Sequence, residues 1–149
     1  MINYQTFKYA GKFDKTVTIY TGPDGKDEIV IRLKGFVEPI PMGKLEMVPR
    51  KTLVGDLKIG QENEVGLVLN NIGDAPLTVT KIVSRKFKMI YFDGSKSGDL
   101  IIEAGKTRKV HFKVTPPKSG KFIDIIMIHS DARNDIGNGY KGVLVGQAK

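Results

Sequence analysis

The sequence predicts an all-β protein: one complete antiparallel β-sandwich preceded by part of another. Three observations carry this. A segment repeats, with Gly11-Lys12-Phe13 returning as Gly120-Lys121-Phe122 at an offset of 109 residues (120 − 11). Each copy opens a β-rich run, a polar turn and a second strand that closes on glycine, Gly35 in the first and Gly146 in the second, so the offset drifts to 111 (146 − 35). Surface loops tolerate that drift, and a repeat of about 110 residues suits a sandwich module. Short β-branched runs also recur along the chain between Gly, Asn, Asp and Pro punctuation. Lastly, no window carries an apolar stripe of helical period.

The elements follow in order. Residues 3–9, 13–20 and 29–37 offer three strands, with Asp24-Gly25-Lys26-Asp27 as a turn between the last two. Residues 1–38 therefore read as the closing third of a module, whose remainder would lie upstream or in another chain. Its apolar residues Phe13, Val17, Ile19, Ile29, Ile31 and Leu33 have to be buried somewhere, because a three-stranded sheet without a covering layer is only marginally stable. Residues 39–43, with Pro39 and Pro41, read as a stiff linker. Residues 44–149 then carry nine candidate strands: Leu45–Val48, Leu53–Ile59, Val65–Leu69, Leu77–Val83, Phe87–Phe92, Leu100–Ile102, Val110–Val114, Phe122–Ile128 and Tyr140–Val145. Short strands at such spacing argue for a sandwich rather than a βαβ fold.

Composition sets the outer limits. The chain has 149 residues, 40% of them apolar, which suffices for one sizeable core and part of another. Cysteine is absent, which excludes disulfides, thiolate zinc sites and a thiol nucleophile. Residues 1–8 lack a basic segment followed by an apolar one, so no signal peptide is expected among them.

The turn Asn70-Asn71-Ile72-Gly73-Asp74-Ala75-Pro76-Leu77 has a local rationale. Asn71 and Asp74 are placed to hydrogen-bond neighbouring backbone, Gly73 to take positive φ, and Pro76 to set the chain ahead of a strand, which reads as a hairpin. This N-x-G-x-x-P-L pattern resembles the abnormal-spindle/hydin (ASH) type of immunoglobulin-like domain and its bacterial relatives of unknown function. Other signals keep the same order: Gly55-Asp56-Leu57, Ala104-Gly105, Thr115-Pro116-Pro117 and Gly120-Lys121-Phe122. The resemblance covers roughly residues 44–147, and its closing pattern covers 11–37. It implies an immunoglobulin-like sandwich that serves as a repeated spacer or docking module, and it favours a periplasmic or extracellular bacterial location. Many bacterial relatives carry cysteines where this chain has Ser84-Arg85-Lys86-Phe87.

The two copies of the repeated strand differ in their second face. In the first, Phe13, Val17 and Ile19 share one side and Asp14, Thr16, Thr18 and Tyr20 the other, as in a strand with one wet face. In the second, Phe122, Ile126 and Ile128 form the core side, yet Ile123, Ile125 and Met127 occupy the side that should be wet. Burying each of these three is worth roughly 1.5–3 kcal/mol, so a cover is expected from the N-terminal segment, another chain or a long loop. Ile123, Ile125 and Met127, with Phe13, Val17 and Ile19, are the expected interface.

Charge offers a second candidate. Lys and Arg total 24 against 16 Asp and Glu, a net +8, which favours anionic partners. Lys109, His111 and Lys113 alternate outward on one strand, and Arg85, Lys86 and Lys88 lie close together. Against nucleic acid stand the spread of lysines along the whole chain and the lack of an RNA-binding signature.

Catalytic patterns are thin. His111 and His129 show no ligand spacing with Asp131, and Asp131, Asn134, Asp135 and Asn138 do not match a calcium loop and read as turn formers. Ser84 and Ser130 have no neighbouring His and Asp pattern. No metal and no cofactor is implied. The sequence therefore reads as a non-enzymatic structural or protein-interaction module of a tandem array, self-associating as a homo-oligomer or by strand exchange. The alternative is a basic module binding carbohydrate or nucleic acid.

Overall fold

The computed structural model describes residues 3–90 and 100–149, and among them no helix forms. The chain divides into two compact units, residues 1–40 and 41–149.

The N-terminal unit is a single antiparallel ribbon of β1 (Gly11–Thr21) and β2 (Asp27–Val37). Residues 3–9 do not add the expected third strand; Tyr9 N–H instead donates to Thr6 O at 2.8 Å and closes a turn. Tyr4 reaches the ribbon through its ring, 4.9 Å from that of Phe13. At the far end Gly25 N–H bonds Gly22 O at 3.2 Å, which closes the loop.

The C-terminal unit stacks two sheets. The smaller has the order β3-β5-β9, formed by Leu45–Met47, Asn63–Asn71 and Thr107–Val114. The larger has the path β4-β11-β10-β6-β7, formed by Lys51–Leu57, Tyr140–Ala148, Gly120–Ser130, Leu77–Ser84 and Lys88–Ile90. Strand β8 (Leu100–Ile102) also pairs β6. The expected strand Phe87–Phe92 is thus β7, and residues 91 and 92 lie outside the described residues.

Alternating side chains of both sheets fill the space between them. Leu67, Leu69 and Phe112 from the smaller sheet meet Leu77, Ile82, Ile126, Ile128 and Leu144 from the larger, each at most 2% exposed. Among the described residues one strand pair breaks the antiparallel rule: β4 runs parallel to β11. The chain leaves the smaller sheet after β3, where Pro49 has no N–H to extend that ladder, and β4 takes the edge of the other sheet beside β11.

The Asn70–Leu77 turn is not a hairpin, because β5 and β6 belong to different sheets; it is an arch over the end of the sandwich. An arch has no ladder to satisfy its backbone, and the 1%-exposed Asn71 amide supplies the missing partners. Its Nδ2 donates to Ala75 O and Ile102 O, both at 2.8 Å, and its Oδ1 accepts Lys44 N–H at 3.1 Å and Gly73 N–H at 3.0 Å. Gly73 is not in the positive-φ region. It is glycine because the Met42–Lys44 backbone passes so close that a Cβ would sit 2.3 Å from Met42 O. Asp74 Oδ1 accepts Met42 N–H at 2.7 Å and holds that segment against the arch. This bond is the first cause that keeps the Asp74 carboxyl below its ordinary pKa.

Candidate functional site

The repeat seen in the sequence is a repeat in three dimensions. Phe13 faces Gly35 across β1–β2, and Phe122 faces Gly146 across β10–β11. In both pairs the aromatic ring lies over the glycine, where an added Cβ would come within 2.6 Å and 2.8 Å of the ring. Val17 pairs Ile31 as Ile126 pairs Gly142, and Ile19 pairs Ile29 as Ile128 pairs Tyr140. Both first strands start from a positive-φ glycine, Gly11 at 104° and Gly120 at 119°.

In β10, Phe122, Ile126 and Ile128 point into the core, and Ile123, Ile125 and Met127 point outward. The outward side is an apolar surface assembled across three strands. Ile123 stands beside Val145 of β11, which stands beside Leu53 of β4; Ile125 stands beside Val143; and Met127 lies between Lys141 and Val83. Leu53 is 74% exposed and Ile123 65%. Ile125, Met127, Val143, Val145 and Val83 are half-buried, each shaded by its cross-strand neighbours. Lysines 51, 141 and 81 stand at the margins of these rows. The sequence reading found Ile123, Ile125 and Met127 from one strand's alternation. Leu53, Val143 and Val145 belong to the same surface only through pairings that one strand's pattern does not show.

The N-terminal interface candidates lie on one face of the ribbon. Phe13, Val17 and Ile19 share it with Ile29, Ile31 and Leu33. Ile19 is 39% exposed and Ile29 52%, and none of the described residues 3–40 is buried. The opposite face is mixed, with exposed Tyr20, Val30 and Phe36 beside a charged cluster. Asp14 takes two hydrogen bonds from Arg32, at 2.6 and 2.7 Å, with Lys34 at 3.7 Å. The Arg32 guanidinium is the first cause that lowers the Asp14 pKa, and Asp14 in turn raises that of Arg32.

The basic candidates are arranged less openly than their spacing suggests. Lys109, His111 and Lys113 do alternate outward on β9, but β5 runs beside them and brings acids. Glu62 takes a hydrogen bond from Lys113 at 2.9 Å and raises its pKa, and Glu64 lies 2.5 Å from His111 Nδ1. Lys113 is therefore paired within the fold, and His111 is held beside Glu64. Arg85 and Lys86 are exposed on the turn after β6, and Lys88 is on β7 with its side chain outside the described part. Lys86, Lys118 and Lys121 line a cleft of about 270 Å³ with Phe87, Pro116 and Pro117.

One polar group in this region escaped the sequence reading. Asp124 lies in phase with Phe122 and Ile126 and is 1% exposed. It accepts Ser84 Oγ–H at 2.5 Å and Lys86 N–H at 3.0 Å, while Phe87 N–H donates to Ser84 Oγ at 2.7 Å. Ser84 thus meets an aspartate but, among the described residues, no histidine. Its oxygen is committed as donor and acceptor, and the trio fastens the β6–β7 turn to β10. The two histidines are separated, His111 on the smaller sheet and His129 on the larger. The acidic loop after β10 is a set of backbone anchors. Asp135 accepts the N–H groups of Ser130, Gly137 and Gly139, Asp131 accepts that of Thr78, and Asn134 bonds both N–H and O of Leu45.

No protein-family model matches the sequence, and no curated protein matches it. Solved structures do match. The chain is similar to the ASH/PapD-like domain of human CEP192 (PapD-like domain 7), with 18% identity over 77% of this chain and 94% of that one and a TM-score of 0.50. A Porphyromonas gingivalis W83 protein of unknown function matches over 93% of this chain and 66% of that one, with 13% identity and a TM-score of 0.52. The secreted serine protease VesC from Vibrio cholerae matches over 70% of this chain but only 23% of its own, with 14% identity and a TM-score of 0.49. At such identities the likeness is one of fold: the chain has the ASH/PapD-like, immunoglobulin-like β-sandwich.

Proposed function

We propose that this chain is a non-catalytic protein-interaction module, and that it engages protein through the outer face of its larger sheet. The observation that carries this reading is the apolar surface of Leu53, Val145, Ile123, Val143, Ile125 and Met127. The other side of the same strands already fills the core, so these side chains add nothing to it. An exposed apolar surface rimmed by lysines is what a docking face requires. Arrangement in a tandem array and a location outside the cytoplasm, both implied by the ASH-like resemblance, are part of the same proposal.

A photo-crosslinking residue placed at Ile123 in the source cells tests the reading, with a control at Lys109 on the other sheet. Crosslinking of Ile123 to polypeptide well above the Lys109 yield is the expected result. Equal yields, or none at Ile123, would remove the outer face as an interaction surface.

A further inference from the structure

We infer that the cleft between the β6–β7 turn and the β9–β10 connection binds a small phosphate monoester with an apolar, aryl-sized body. The inference does not rest on the interaction role proposed above, and every residue that lines the cleft belongs to the C-terminal unit. Lys86, Lys118 and Lys121 stand around it, and all three are exposed. Among the described residues none of their ammonium groups has a carboxylate partner, unlike Lys113 with Glu62. Like charges gathered without acids repel one another, and a bound anion relieves that repulsion.

The rest of the lining is apolar and already fixed. Phe87 and Phe122 meet edge to face with ring centroids 5.5 Å apart, and Pro116 and Pro117 line the cleft with them. On the turn side, Lys86 N–H is held by Asp124 at 3.0 Å, Phe87 N–H by Ser84 Oγ at 2.7 Å and Arg85 N–H by Ile125 O at 3.1 Å. On the connection side, Pro116 O accepts Gly60 N–H at 3.0 Å, and two successive proline rings restrict the backbone. A ligand thus meets a preformed site and loses little affinity to ordering it. Asp124 is 1% exposed and bonded through both oxygens, so its one charge fixes the wall and does not balance three lysines.

The chemistry of the lining selects the ligand. Among the described residues, Ser119 carries the only lining side chain that accepts a hydrogen bond, too little for the hydroxyls of a sugar. The lining holds no arginine fork to match a planar carboxylate, whereas lysines bind phosphate as point charges, and a phosphate monoester brings roughly −1.5 to −2 charge at neutral pH. At about 270 Å³ the cleft is smaller than the ~300 Å³ at which drug-sized pockets begin, so it fits an aryl ring with its head group rather than a longer chain.

Amide NMR signals of the full chain, titrated with phenyl phosphate, inorganic phosphate and benzoate, test the inference. Phenyl phosphate should shift residues 86–87 and 118–122 saturably and bind about tenfold tighter than inorganic phosphate, because its ring gains apolar burial. Benzoate should bind more weakly than phenyl phosphate. Lys118→Glu should weaken phenyl phosphate by about tenfold, while Lys109→Glu, the same charge change on the smaller sheet, should alter it less than about twofold. Both positions are exposed, so neither variant should disturb folding. Shifts that do not saturate, equal losses in the two variants, equal affinity for inorganic phosphate, or tighter binding of benzoate would each overturn the inference. N-acetyl-phosphotyrosine amide binding about tenfold tighter than phenyl phosphate would overturn the assignment to a free ester and move the ligand to phosphorylated protein.

Discussion

The ribbons β1–β2 and β10–β11 are the same object in two environments. Their registers superimpose pair for pair, from Phe13–Gly35 and Phe122–Gly146 to Ile19–Ile29 and Ile128–Tyr140. Their faces differ. In β10–β11 the Phe122 side is sealed and the opposite side is apolar; in β1–β2 neither side is buried, the Phe13 side meeting only the Tyr4 ring and the opposite side mixing Asp14, Arg32 and Lys34 with exposed Val30 and Phe36. The local pattern thus specifies a ribbon, and what lies over each face is set by the rest of the fold. One matched position makes the point. Position 15 in the first copy corresponds to 124 in the second at the 109-residue offset; Lys15 is exposed, whereas Asp124 is buried and bonded to Ser84 and the Lys86 backbone.

The comparison can be broken most forcefully at the matched pair Val17 and Ile126. Ile126→Asp places a carboxylate without a partner where the side chain is fully buried, and should cost about 4 kcal/mol or more, unfolding the C-terminal unit. Val17→Asp should leave the urea midpoint of that unit unchanged in monomeric protein. Equal destabilisation by the two would mean that the ribbon has a covering layer after all.

A smaller effect is expected at the matched pair Asp124 and Lys15. Asp124→Ala leaves Ser84 Oγ–H and Lys86 N–H without their acceptor and should cost roughly 2–4 kcal/mol. Lys15→Ala should change stability by less than about 0.5 kcal/mol, as exposed substitutions do. Denaturant unfolding of the two variants side by side measures the difference, and a neutral Asp124→Ala would show that the network does not fasten the β6–β7 turn.

Most of the strands were legible because their punctuation is local: glycines, prolines and alternation mark where β5, β6, β9, β10 and β11 begin and end. What escaped depends on distant partners. Asp124 meets Ser84 across 40 residues, and Lys113 meets Glu62 across 51. Gly73 marked a turn, but of the wrong kind and for the wrong reason: it lies in an arch rather than a hairpin, and the crowding comes from Met42–Lys44 across the arch rather than from its own φ. The expected strand at 3–9 lacks a neighbour to pair with, and alternation alone does not supply one. Half of the apolar surface around Ile123 was missed likewise, because Leu53 and Val145 join it through the ladders between β4, β11 and β10.

The mildest contrast lies in the charged cluster of the ribbon, and acid should expose it. Asp14 has its pKa lowered first by the Arg32 hydrogen bonds and further by Lys34, against an ordinary value of 3.8. A carboxyl whose folded pKa lies below its unfolded one contributes stability above the unfolded value, and that contribution is lost as pH falls through the folded value. The ribbon should therefore loosen as pH drops below 3.8, with amide signals of β1 and β2 shifting together while those at Ile123 and Ile125 hold steady. Asp14→Asn should remove this acid step and leave the ribbon near its low-pH state throughout. Both groups are exposed, so the step should be shallow and should shrink in high salt. A step of equal size in Asp14→Asn would assign it to another carboxyl. Asp74 is the first to examine, because its bond to Met42 N–H lowers its pKa in the C-terminal unit.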